Sequence, residues 1–113
     1  MSEQNNSNNA LQTLQGLLNQ RTQVIGQWYS NARVSLDGYH FTKCRFDNCQ
    51  LLSNTGDFQM INCYIAEDNV IYIPSSAVRP IRLLLHRQQR LGKGIEDLPA
   101  FRLFVKNDGT VNI

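Results

Sequence analysis

Between Val34 and Val70 the apolar residues fall in pairs separated by one residue, and each pair begins five residues after the last: Val34/Leu36, Tyr39/Phe41, Cys44/Phe46 and Cys49/Leu51. A polar interruption, Asn54-Thr55-Gly56-Asp57, follows; the beat resumes with Phe58/Met60 and Cys63/Ile65, and a weaker unit places Asp68 first and Val70 second. Alternate residues of an extended chain face the same way, so each pair presents two side chains to one side. The step of five leaves room for a corner after every pair. Asp37-Gly38, Asp47-Asn48 and Asp68-Asn69 put turn-prone residues at or beside those corners. A chain that bends in the same sense each time closes a squared coil after about four units, with the pairs inside. Asn54 to Asp57 then bulges from one edge.

On these positions the stretch from Val34 to Val70 resembles the pentapeptide-repeat family. Leu36, Phe41, Phe46, Leu51, Met60, Ile65 and Val70 take the central place, and Val34, Cys44, Cys49 and Cys63 the small place two residues earlier. Tyr39, Phe58 and Asp68 depart from the small place, and Asn69 alone supplies an Asn or Asp just before a centre. The resemblance covers about a third of the chain and implies a right-handed quadrilateral β-helix without an active site. A competing architecture is an antiparallel meander, whose half-buried strands also alternate. One spacing kept over seven units favours the coil, because hairpin strands usually run longer between turns. Val34 to Ser53 makes one coil and Phe58 to Tyr72 most of another, whereas such stacks usually need about three layers. The expectation is a mainly β fold of about two coils, completed by flanking helices, a second copy or a partner.

At 113 residues the chain has length for one core and one domain, spanning 10–113 behind a polar tail at 1–9. A net charge of +2 does not require a polyanion partner, but its distribution is uneven. Four Lys/Arg face six acids up to Ile73, and seven face three from Pro74 onward. No apolar run reaches the length of a membrane span, and the start lacks a signal-peptide pattern, so a cytoplasmic location is expected. Cys44, Cys49 and Cys63 all take inward places of the repeat. They read as reduced thiols acting as small hydrophobes, and the five-residue spacing of Cys44 and Cys49 does not match structural zinc sites.

Upstream of the repeat, Leu11, Leu14, Leu18, Ile25 and Trp28 follow a helical three-four rhythm, interrupted by Arg21. Gly16 and Gly26 each weaken a helix by about 1 kcal/mol relative to Ala. The helix is therefore placed over 10–21, and Gln23 to Tyr29 is read as an extended entry to the coil. Leu11, Leu14, Leu18 and Trp28 are candidate assembly residues; the Leu stripe serves equally well as a cap over the open coil end. Downstream, Ser75 or Ser76 offers a cap for a helix over 76–91, Pro80 demands a start close behind it, and Gly92 or Gly94 ends it. Arg79, Arg82, Arg87, Arg90 and Lys93 form a candidate site for an anionic partner, with Arg79, Arg82, His86 and Arg90 along one stripe. A hairpin is expected over 101–113, turning at Asn107-Asp108-Gly109.

No phosphate loop, nucleophile elbow or metal-ligating His pair occurs. His40 and Cys44 belong to opposite faces of the repeat and make no nucleophile and base. The sequence therefore points to a non-enzymatic binding or self-assembly protein, homo-oligomeric or docked on a protein partner, with nucleic-acid binding through the basic helix as the alternative. No cofactor, metal, membrane or small-molecule substrate is expected.

Overall fold

A computed structural model describes residues 21–113. The helix expected from Ala10, with Leu11, Leu14 and Leu18, and the tail at 1–9 lie outside the described residues. Nine short strands come first: β1 (Thr22–Ile25), β2 (Trp28–Ser30), β3 (Arg33–Ser35), β4 (Tyr39–Thr42), β5 (Arg45–Asp47), β6 (Gln50–Leu52), β7 (Gln59–Ile61), β8 (Tyr64–Ile65) and β9 (Val70–Tyr72). They form three parallel sheets, β1-β4-β7, β2-β5-β8 and β3-β6-β9. The chain is thus a solenoid of about three coils in which each coil gives one strand to every sheet. All-parallel pairing rules out the meander, whose neighbours would run antiparallel.

Three expectations need correction. The coil begins at Thr22 rather than Val34, because Val24, Tyr29 and Val34 are the first-coil partners of Phe41, Phe46 and Leu51. The stack therefore has the three layers that the sequence count lacked. It also has three sheets rather than four faces: Thr22 pairs with Tyr39, Trp28 with Arg45 and Arg33 with Gln50, an offset of seventeen residues each time. Three units of five fill most of that length, and a two-residue extension makes the third corner. Leu36 belongs to this corner and is only 4% exposed, so an inward corner residue mimicked the centre of a fourth side. The last unit is shifted by one, since Leu51 pairs with Ile71 and not with Val70. One extra residue between β8 and β9 slips the frame, and a one-residue slip exchanges inside for outside.

Corners stack as the strands do. Lys43 and Asn62 turn one corner with φ of 55° and 53°, below Gly26 at 68°, and Asn31 and Asn48 turn the next with 55° and 49°. Asn accepts this left-handed backbone more readily than most residues, whereas Lys43 carries some strain. At the second corner Asn48 Nδ2 donates to Asn31 Oδ1 at 2.6 Å, and Asp68 receives the Asn48 N–H at 2.9 Å. Asn69 faces inward there, taking the Cys49 N–H at 2.8 Å and donating to the carbonyls of Phe46 and Ala66 at 2.9 and 2.7 Å. Asp68 is exposed, as a carboxylate on an opening corner should be. At the third corner, Asp37 accepts from Ser53 Oγ, Asn54 N and Thr55 N. Burial pushes its carboxyl up, but these hydrogen bonds outweigh that and hold it below the usual carboxylate range.

Phe41, Phe46, Leu51, Met60 and the three cysteines are each at most 2% exposed. All three thiols are free and buried, as their places in the repeat required. Burial is the leading cause that pushes the Cys63 thiol up. Each sulfur sits against backbone carbonyls, for example Cys49 Sγ with Asp47 O at 3.2 Å.

Beyond β9 comes helix α1 (Ser75–Arg90). Its N-cap is Pro74 with no side-chain cap bond, so neither Ser75 nor Ser76 caps it. Pro80 is the sixth helical residue and not a first-turn one; its missing N–H removes the helical bond to the carbonyl of exposed Ser76. The end matches expectation: Gly92 at φ 68° donates to Gln89 O at 3.0 Å, and Lys93 N donates to Gln88 O at 2.9 Å, a Schellman closure. Two 3₁₀ turns follow, Ile95–Asp97 and Pro99–Phe101. Phe101 is therefore not in a strand, and the C-terminal ribbon reduces to single bridges of Val111 with Val105 and with Cys63. Val111 and Ile113 run antiparallel to the Met60–Cys63 edge, bonding Cys63 and Met60 through both backbone groups at 2.8–3.1 Å. No helix among the described residues is long and apolar enough to cross a membrane.

Candidate functional site

Outward-facing side chains of the second sheet form a ladder of Trp28, Arg45 and Tyr64. The Arg45 guanidinium lies between the rings, 5.3 Å from the Trp28 centroid and 4.8 Å from that of Tyr64. Asp47 receives Trp28 Nε1 at 2.6 Å and Arg45 Nε at 2.7 Å. The Arg45 hydrogen bond, aided by that from Trp28, holds the Asp47 carboxyl below its ordinary range. Trp28 is thus a strand residue on the outer wall, within the segment read as extended. Its polar atom and one ring face are satisfied within the chain, so this ladder braces the wall.

The third coil is different. Solenoid coils satisfy their backbone and bury their interior on the coil above and below, and the last coil has no successor. Val111 and Ile113 cover the Met60–Cys63 edge, while β8 and β9 have no strand on their outer side among the described residues. Ile71, the inward residue of β9, is 65% exposed, although Leu51 in the same place of the second coil is 2% exposed. Val70, Tyr72 and Ile73 are exposed beside it. Between this open end and the C-terminal ribbon lies a cleft of about 410 Å³, floored by Ile65, Ile71, Leu103, Val105 and Ile113. Glu67 is the one charged residue lining it.

No family model, curated protein or solved structure matches this chain.

The basic residues expected to act together do share a face. Arg79, Arg82, His86, Arg87 and Arg90 are all exposed on α1, as is Lys93 just beyond it. The ion pairs among the described residues are Arg21 with Asp57 and Arg45 with Asp47, so no carboxylate in that region neutralises the helix. Leu83 lies within the same arc, between Arg87 and Arg90 on the helical wheel, and is 71% exposed. The opposite side, with Ala77, Ile81 and Leu84, is half-buried, and among the described elements α1 packs on the first 3₁₀ turn and on no strand. Gln88, on this apolar side, is 2% exposed and donates to Gly94 O at 2.9 Å, tying the turn to the helix. Sequence reading missed Gln88, because a polar residue in an apolar stripe gives no sign of its partner.

His40 is half-buried on the first sheet, and Cys44 Sγ is directed at Val24 O and Thr42 O, so the two form no catalytic pair. No group of three or more His, Cys, Asp or Glu among the described residues could hold a metal ion.

Proposed function

We propose that this chain is a non-enzymatic binding and self-assembly module whose unfinished third coil is completed by a second copy or by a protein partner. The observation that supports this is the exposure of Ile71 at a place which the coil above buries, beside an unpaired strand edge. Exposed edges and apolar ends are liabilities that proteins ordinarily cover. A descent from pentapeptide-repeat proteins belongs to the same proposal, supported by the five-residue steps within each coil, as does work in the cytoplasm.

Sedimentation equilibrium on the full chain tests it. The expected result is concentration-dependent association in the micromolar range that Ile71→Lys abolishes while the far-ultraviolet spectrum is kept. A wild-type monomer up to roughly 100 μM that captures no partner from its host's extract would end the reading; affinity in this range corresponds to about 5–8 kcal/mol.

The exposed cations of α1, which form no ion pair among the described residues, support a second reading, nucleic-acid binding. Phosphate contacts release counterions, so affinity should fall steeply with salt, and Arg82→Ala with Arg90→Ala should reduce the salt slope by about two. Fluorescence anisotropy at low salt against duplex and single-stranded oligonucleotides checks this. Absence of binding removes it.

A further inference from the structure

The chain carries an exposed apolar cleft and an exposed leucine set in a basic helix face, and the two do not meet within the described residues. One is the cleft at the end of the third coil, with Glu67 in its lining and exposed Asp68 on the adjoining corner. The other is the face of α1 on which exposed Leu83 is ringed by Arg79, Arg87 and Arg90. Residues 22–73 hold three cations and five acids, whereas 79–93 hold five cations and no acid. The helix follows β9 almost at once through Ile73 and Pro74, yet it packs on no strand of its own solenoid.

We propose that the Leu83 face of α1 docks in the third-coil cleft of a second copy, reciprocally, so that each chain closes the other's solenoid. This rests on the self-assembly reading above and specifies its contact. Reciprocity follows from the chemistry: each copy owns one cleft and one helix, and a two-fold arrangement uses both and leaves neither over. Leu83 replaces the missing apolar layer over Ile71, and the arginines meet Glu67 and Asp68 on the solenoid side of the cleft, away from Arg102 and Lys106 on the ribbon side. A single side chain anchored in an apolar pocket, with flanking charges fixing partner and orientation, is an established mode of recognition. Among the described residues, none covers this leucine in the middle of a basic face.

The test is a charge exchange between full-length chains. Glu67→Arg alone and Arg87→Glu alone should each weaken self-association by roughly tenfold, since each places like charges in both contacts of the dimer. Mixed in equal amounts, the two variants should associate with each other to within about threefold of wild type, because both contacts of the mixed pair then join opposite charges. Circular dichroism on each variant verifies that the fold is kept, and Leu83→Asp should yield a monomer. A wild-type monomer overturns the inference together with completion by a second copy, and leaves completion by a protein partner to the test given above. A wild-type dimer unaffected by either charge change, or two weakened variants that fail to associate when mixed, overturns the inference and leaves the self-assembly reading standing.

Discussion

Phe46→Ala should cost about 4 kcal/mol of stability, the middle of the range for removing a buried aromatic ring. Phe46 is 0% exposed at the middle of the middle coil. Its ring stacks on Tyr29 at 5.1 Å with 9° between the planes and meets Phe41 edge-on at 5.3 Å and 80°. Tyr29 and Ile65 stand above and below it in the second sheet. A vacancy there cannot be closed by one neighbour, because each neighbour is fixed by its own sheet register. Cavity and aromatic terms therefore add. Urea titration of the purified chain checks this: with a slope of roughly 2 kcal/mol per molar, the midpoint should fall by about 2 M. Ile25→Ala, at a site 72% exposed on the outer wall, should move it by less than about 0.3 M. Equal shifts for the two variants would mean that the inward column does not hold the coils together.

The middle coil was legible in the sequence because each sign of it is local. Cys44/Phe46 and Cys49/Leu51 show the small-then-large alternation, and Asn48 marks a corner by tolerating left-handed backbone. The first coil was masked by its chemistry: Val24 and Tyr29 are preceded by polar Thr22 and Gln27 in the small place, so the pairs look half empty. Both Thr22 and Gln27 are exposed, so a polar side chain costs nothing there. The number of sides was misjudged because Leu36 is buried at a corner, and burial alone does not distinguish a corner from a strand. The frame slip before β9 turns on one residue. Apolar Val70 and Ile71 are adjacent, so either frame looked satisfied. The cleft and the Leu83 face were illegible for a different reason, as each is defined by what fails to cover it. Leu83 reads as one more leucine in Leu83-Leu84-Leu85 until the helix is seen to use its other side.

Asn69 was legible as a corner residue and as a lone match to the pentapeptide pattern, and in the fold it is a staple between two coils. Asn69→Ala should cost about 2–4 kcal/mol. Its Oδ1 is the acceptor given to the N–H of Cys49, a residue 1% exposed, and an orphaned buried amide costs about 1–3 kcal/mol. The two bonds from Nδ2 to Phe46 O and Ala66 O add less, because Phe46 O keeps the Ala66 N–H at 3.0 Å. Asn69→Asp separates this staple from a mere corner preference. The new carboxylate would still accept from Cys49, but its second oxygen would face two carbonyl oxygens where Nδ2 now donates. That opposition disfavours the charged form and raises the folded-state pKa of the new carboxyl above the unfolded value. The folded protein then holds its proton to higher pH than the unfolded chain does, so stability is lost as pH rises through that interval and regained as it falls. Urea midpoints of Asn69→Asp at pH 5 and pH 7.5, each referred to wild type at the same pH, should show the deficit shrinking at the lower pH. A deficit that is the same at both would show that Asn69 serves only to turn the corner.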